Sequence, residues 1–362
     1  FISAKFVSAQ ATIDPQLSSL IEHPETLEAI IEKVTIVTET SDSTQEETQF
    51  NQDLELLITK GSLKGKRITV NHNNLNDIQS QKYQLDDKVL VSYTHDSFEN
   101  DFFFITDYVR RDSLLLLFII FIICTLFIAR WKGLASLLAM VISFLVIFFF
   151  VIKQISLGAD AVLIAILGAF IIIPSTFLLS HGFNKKTLVA IFSTLIALIM
   201  TITLANGFMK ATRLTGLASE EAGFLQAIKP EIINVRGLLL AGIIIGALGV
   251  LDDITIAQAA IVFELKKTDR QLKFKQLYQK AMDIGRDHIG SMVNTLILVY
   301  AGASLPLLLL FMDNPMPFGQ LINSEIMAEE IVRTLVSSIG LILAVPITTV
   351  TASLVAVKQK TP

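Results

Sequence analysis

Gly242–Glu264 reads GIIIGALGVLDDITIAQAAIVFE, an apolar run with two adjacent acids, Asp252 and Asp253, inside it. At a rise of about 1.5 Å per residue the run is long enough to cross about 30 Å of hydrocarbon. The acids stand about fifteen residues beyond Arg236, somewhat past the middle of such a crossing. One carboxylate at that depth costs on the order of 2.5–3.5 kcal/mol, and two neighbours cannot both stay charged without a cation or water. A cost of that size asks for a use.

The rest of the chain agrees with this reading. Of 362 residues, 52% are hydrophobic and 17% charged, with a mean hydropathy of +0.61, which excludes an ordinary water-soluble protein. Seven apolar runs are expected to cross, near 113–129, 133–152, 157–180, 187–208, 232–263, 289–312 and 331–357. Net charge is −4, unevenly placed. Residues 1–112 hold 10 basic and 19 acidic side chains, −9, and the remainder 19 and 14, +5. A basic surface on the apolar part argues against nucleic acid as a partner. Basic turns at Arg130-Trp131-Lys132, Lys185-Lys186 and Lys266–Arg286, with Lys358 and Lys360 in the tail, predict an N-terminal domain outside and a C-terminus inside. Phe1 is not methionine, so a signal peptide or a first membrane helix is expected upstream, and a helix there would make eight crossings.

Ahead of the apolar runs, Val34–Val37, Leu54–Thr59, Arg67–Val70, Lys88–Tyr93 and Phe102–Val109 are β-rich stretches between polar turns such as Lys64-Gly65-Lys66. They predict a small extracytoplasmic β-barrel or β-sandwich over 34–112. Leu17, Leu20, Ile21, Leu27 and Ile31, with Glu22, Glu25 and Glu28 between them, predict a helix over Pro15–Ile31 within a lead-in over 1–33. The polar stretch Glu39–Asn51 predicts a loop. Residues 113–362 form the membrane domain. In it, Leu214–Ile228 and Leu272–Met282 are amphipathic, suiting helices on the outer and the inner, basic surface.

Helical spacing sorts the polar residues of the membrane domain. Gly242, Gly246, Gly249 and Asp253 follow steps of four, three and four, a small-residue stripe that would point Asp253 into the bundle. Asp252 is rotated by about 100°, and Thr255 and Gln258 extend the polar character. The sixth run supplies His288, Ser291, Asn294 and Thr295, and the seventh Pro346, Thr348, Thr349 and Thr351, all toward the inner half. Converging, they would make a proton or cation site in which an acid exchanges protons through His288, hydroxyls and water. The competing reading is that the acids are neutral or paired groups joining helices, with His288 at the headgroups.

Other features are quieter. Pro174 and Pro306 read as kinks, and Asn206-Gly207 as a helix end. Cys124 stands alone, so no disulfide framework is expected. His23, His72, His95 and His181 lack ligand spacing, so neither metal nor cofactor is expected. No P-loop, GxSxG, HExxH or dinucleotide motif appears, and enzyme chemistry is not expected.

Three segments carry a resemblance: GVLDDITIAQAAIVFEL (Gly249–Leu265), GRDHIGSMVNTLILVYAGASLPLLLLF (Gly285–Phe311), and Leu63-Lys64-Gly65-Lys66 with Asp107-Tyr108-Val109-Arg110-Arg111. With them the sequence resembles the YibE/F-like family of bacterial multi-pass membrane proteins. That resemblance implies the bacterial cell membrane and a homo- or hetero-oligomer with a shorter, membrane-only relative. Leu251-Asp252-Asp253-Ile254 is also similar to the proton-relaying fourth helix of resistance-nodulation-division exporters. This chain departs from them in an extra helical hairpin, a smaller outer domain and the lack of a clear lysine partner. The expectation is a proton-linked transporter or permease component, with Asp253 as carrier and Asp252 coupled to it. The rival is a non-transporting scaffold or receptor whose outer domain binds a partner.

Overall fold

A computed structural model describes residues 24–41, 48–73, 82–95, 101–230, 232–313 and 317–358. The chain separates into two units, Phe1–Phe121 and Ile122–Pro362, each with its own core.

The first unit is one antiparallel sheet of β1 (Glu25–Ser41), β2 (Thr48–Lys60), β3 (Arg67–Asn73), β4 (Lys88–His95) and β5 (Asp101–Tyr108), in the order β3-β2-β1-β4-β5. Period-two alternation builds it. Leu27, Ala29 and Ile31, Leu54, Leu56 and Ile58, and Val89 and Val91 are buried on one face. Three register shifts along β1 help the sheet to curl into a half-barrel, with β3 and β5 in contact. The expected five strands are present, as one curled sheet rather than a sandwich. Tyr83 locks the segment before β4 to the sheet, exchanging two hydrogen bonds with the buried Gln52 side chain (3.1 and 2.9 Å). The turn at Lys64-Gly65-Lys66 forms with Gly65 at φ 85°, a conformation that favours glycine.

Two expectations for this region need correction. Glu25–Ile31 is strand, not helix: Ala29 completes an alternation with Leu27 and Ile31 that outweighs the helical spacing of Leu27 and Ile31. Residues 15–23 of that expected helix, and His23 with them, lie outside the described residues. The domain boundary at 33/34 therefore falls inside β1. The loop expected over Glu39–Asn51 is shorter, because Glu39, Thr40 and Ser41 pair with Phe50, Gln49 and Thr48. Backbone ladders form between main-chain groups and do not require apolar side chains. Residues 42–47 lie outside the described residues.

The charged face of the sheet is held around Glu28, which meets Lys60 and Arg111, each at 3.0 Å. Burial pushes the Glu28 carboxyl up, but hydrogen bonds and charge from Arg111 and Lys60 outweigh it and leave it below its usual 4.5.

The helical unit takes up the chain within α1 (Arg111–Leu145), which continues through a π-helical turn, Val146–Ile152, into α2 (Lys153–Ser156). There follow α3 (Ala161–His181), α4 (Lys185–Ala211), α5 (Glu220–Ile228), α6 (Val235–Thr268), α7 (Phe274–Ala303), α8 (Leu305–Asp313), α9 (Phe318–Asn323) and α10 (Glu325–Lys358). Asp160, Asn184, Ser219 and Asn234 cap α3, α4, α5 and α6, each side chain accepting a backbone N–H of the first turn.

Among the described residues five stretches are long and apolar enough to cross a membrane, or six if α7 and α8 count as one broken span, so the seven expected runs do not form seven separate helices there. The first two expected crossings lie in one 46-residue stretch, broken where Arg130 leaves helical geometry (φ 51°, ψ −129°). The sixth begins at Phe274 rather than near 289, absorbing all but the first two residues of the amphipathic segment Leu272–Met282. Leu272, Leu277 and Ala281 are buried against Val262, Ala352 and Ala356, so that segment packs into the bundle while Lys273, Lys275 and Lys280 stay exposed. The chain bends by 65° between α7 and α8, just before Pro306.

α4, α6 and α10 pack on one another as the centre, with α7 against α10 and α3 against α6. Their contacts are made by small and hydroxyl residues, among them Ala190, Thr194, Ala197 and Thr201 of α4, Ala247 and Thr255 of α6, and Gly340, Ala344 and Thr348 of α10. Small side chains let membrane helices approach closely, where dispersion and hydroxyl bonds replace the hydrophobic effect. The 46-residue stretch is peripheral: 11% of its most apolar window is buried, against 56% for α6.

Candidate functional site

Asp252 and Asp253 fall near the middle of the 34-residue α6. Asp252 is partly buried, and its Oδ1 is shielded from solvent with no hydrogen-bond partner. The groups near the pair come from α3. The Thr176 hydroxyl, beside the Asp252 carboxyl, donates to the Ile172 and Ile173 carbonyls of its own helix (3.0 and 3.1 Å), and the charge of His181, the last residue of α3, acts on Asp253.

Asp253 does not point into the bundle. It is exposed, on the same side of α6 as Gly242, Gly246 and Gly249, which are exposed too. A Cβ added at Gly242 or Gly249 would meet nothing within 4 Å, and at Gly246 only Tyr300 Oη at 3.6 Å. The stripe exists as its spacing predicts, but it is open. α6 is apolar on nearly all sides, so spacing gives the phase of the stripe without saying which side meets a neighbour.

The remaining expected site residues fall into two groups, neither of which hydrogen-bonds to an aspartate side chain. Thr255, Gln258, Thr348 and Thr349 are fully buried in the interior. Thr255 Oγ1 lies 2.6 Å from Thr194 Oγ1, and Gln258 Nε2 donates to the Ala281 carbonyl (2.9 Å) and to Thr349 Oγ1 (2.8 Å). Thr348 Oγ1 and Gln258 Oε1 have no partner. On α7, Ser291, Asn294 and Thr295 are exposed and His288 is partly exposed; Thr295 bonds back to the Ser291 carbonyl (3.0 Å). The expected convergence of three helices on one polar level is therefore replaced by a buried hydroxyl and amide interior beside a separate acid pair.

Several contributors were not singled out from the sequence. Thr187, Thr194 and Thr201 of α4, all buried, recur at steps of seven, a spacing that places them on one helix face. Ser193 meets Thr351 at 2.6 Å. At the other end of the bundle, Glu325 accepts hydrogen bonds from the Thr215 N–H, the Thr215 hydroxyl (2.7 Å) and the Gly216 N–H (3.1 Å). Gly216 adopts φ 84° with its Cα so near α6 that a Cβ would lie 2.8 Å from the Val235 carbonyl oxygen. Only glycine suits both demands. Among the described residues no three His, Cys, Asp or Glu side chains are grouped to hold a metal.

Comparison with known families fits both units. Residues 117–358 match the YibE/F-like protein family, and residues 25–108 match the YibE/F family N-terminal domain. The chain belongs to the YibE/F-like family. Its YibE/F N-terminal domain is the curled sheet, matched from the first residue of β1 to the last of β5. The YibE/F-like match runs from within α1 to the end of α10. No curated protein and no solved structure matches the chain.

Proposed function

We propose that this YibE/F-like protein is a proton-linked transporter or permease component of the bacterial cell membrane, with Asp252 and Asp253 as its proton-exchanging pair. In this reading the chain crosses seven times, the sheet domain lies outside, and the basic turns and C-terminus lie inside. The observation that carries it is Asp252 Oδ1, an acid oxygen without a partner halfway along a membrane-length helix. An ionised oxygen there is unfavourable, so the pair is suited to holding a proton rather than two charges. Asp253 on the open side is the group that meets water or a partner, and Asp252 is the shielded one. In this reading His181, at the end of the α3 helix that packs on α6, is the group through which protons reach the pair.

The test is proton flux into liposomes holding the purified protein, followed with a trapped pH dye. Asp252→Asn and Asp253→Asn keep size and remove titration. Both variants are expected to insert and to lose proton movement. Unchanged flux in both would overturn the proposal.

A second reading, a non-transporting scaffold or receptor, draws support from the open stripe of Gly242, Gly246 and Gly249, which has the small side chains of a helix-docking surface. Its partner would be a second copy or a shorter, membrane-only relative. Absence of flux with and without such a relative, together with a stable complex through the stripe, would favour this reading.

A further inference from the structure

A groove of about 470 Å³ runs between α4 and α10, lined by Ile199, Thr203, Gly207 and Phe208 of α4 and by Ile339 and Leu343 of α10. From Ile199 to Ala211 it follows α4 for about 18 Å at a rise of about 1.5 Å per residue, close to the ~15 Å of hydrocarbon in one leaflet. Its wall makes no polar demand. Thr203 supplies the only side-chain hydroxyl there, and it donates to the Ile199 carbonyl of its own helix at 2.8 Å. The end of the groove is charged instead. Steps of four and three carry the face of Thr203 and Gly207 on to Lys210, and Arg213 follows where the helix stops. Both cations are exposed, and neither is in an ion pair among the described residues. Glu325, bonded to the chain two residues further on, already accepts the Thr215 hydroxyl and the Gly216 N–H.

Wall and rim together narrow the occupant. A water-soluble anion has no use for the apolar wall, and an apolar helix of a second copy would leave Lys210 and Arg213 unmatched. A phospholipid of net negative charge meets both demands, since lysine and arginine bond phosphate oxygens strongly and a hydrocarbon chain fits the wall. In a zwitterionic lipid the cation of the headgroup competes with the protein for the same phosphate. We propose that this groove seats an acyl chain of an anionic phospholipid, with the lipid phosphate held at Lys210 and Arg213. The site rests on α4 crossing the membrane and is independent of proton exchange at Asp252 and Asp253.

The experiment reads lipid at the groove itself. Trp131 is the one tryptophan of the chain. In a Trp131→Phe background, Phe208→Trp puts an indole into the groove wall at a position 48% exposed. The full chain is reconstituted in dioleoylphosphatidylcholine bilayers, and a rising fraction of the lipid is replaced by phosphatidylglycerol with brominated chains or by phosphatidylcholine with the same chains. Bromine quenches the indole on contact. Phosphatidylglycerol is expected to reach half-maximal quenching at a fraction about tenfold lower, the scale set by two surface cations. Adding Lys210→Gln and Arg213→Gln, both at exposed positions, should bring the two curves together. Lys210→Arg with Arg213→Lys keeps both charges and should keep the preference. Equal quenching by the two lipids in the parent, quenching by neither because another helix covers the groove, or a preference that survives the loss of both cations would overturn the proposal.

Discussion

Gln258 Nε2 lies 2.8 Å from Thr349 Oγ1, and both side chains are fully buried. The same nitrogen donates to the Ala281 carbonyl, so one amide ties α6 to α7 and α10, and Thr349 passes the bond on to the Val345 carbonyl at 2.7 Å. Gln258→Met fills similar space but removes both donors, and is expected to cost about 1–3 kcal/mol. In a double-mutant cycle with Thr349→Val the coupling should fall near 0.6–1.7 kcal/mol, the range typical of hydrogen bonds between membrane helices. Unfolding in mixed micelles measures both, and a coupling of zero would mean that the bond contributes nothing.

Gly340 and Gly242 should respond oppositely to alanine. A Cβ at Gly340 would lie 2.2 Å from Thr201 Oγ1, in the contact of α10 with α4. Gly340→Ala is expected to destabilise by about 1–3 kcal/mol through overpacking, and Thr201→Ala should recover much of the loss. Gly242→Ala meets open space and gains helix propensity, so it should be neutral or slightly stabilising. The same unfolding assay separates the two.

These two glycines also mark what the sequence discloses and what it does not. Length, hydropathy and spacing are local, and they locate the apolar runs, the five strands and the shared face of Gly242, Gly246, Gly249 and Asp253. Which face of α6 is covered depends on neighbours far away in the chain. Because α6 lacks a polar side, nothing local points outward, and the open stripe was expected to be the packed one. The same blindness hid His181 and Thr176, which come near the aspartates only because α3 packs on α6. Ala29 shows the reverse case, in which one residue of a two-residue period overrode helical spacing once β2 and β4 flanked it. Glu325 carries no local signal, since the hydrogen bonds it accepts from Thr215 and Gly216 span about a hundred residues of chain.

The sheet domain should weaken in acid. Glu28 is held below its usual 4.5 by Arg111 and Lys60, so it binds protons more readily unfolded than folded. A group depressed in this way stabilises the fold above pH 4.5, and that contribution is lost as pH falls through the lower, folded value. Hydrogen exchange along β1, corrected for the intrinsic effect of pH, should speed up below pH 4.5. In Glu28→Gln the exchange should be faster at pH 7 and the acid dependence smaller. A β1 equally protected at pH 7 and pH 3.5 would contradict this role for Glu28.

Water at Asp253 is the condition on which proton exchange turns, and thiol chemistry can detect it. A maleimide reacts with the thiolate, which forms where water reaches the sulfur. Cys124 of α1 is exposed and must first be replaced by serine. In that background Asp253→Cys, on the open side of α6, should label readily in a bilayer with a water-soluble maleimide. Leu251→Cys, at a position 1% exposed, should not. Exposure on the open side has two physical meanings, contact with lipid tails or contact with water, and they predict opposite rates. A lipid-facing Asp253 would bear the full cost of an acid in hydrocarbon without any route for its proton. Labelling at Asp253 no faster than at Leu251 would therefore remove the acid pair from any transport mechanism, leaving the stripe as a surface that another helix covers.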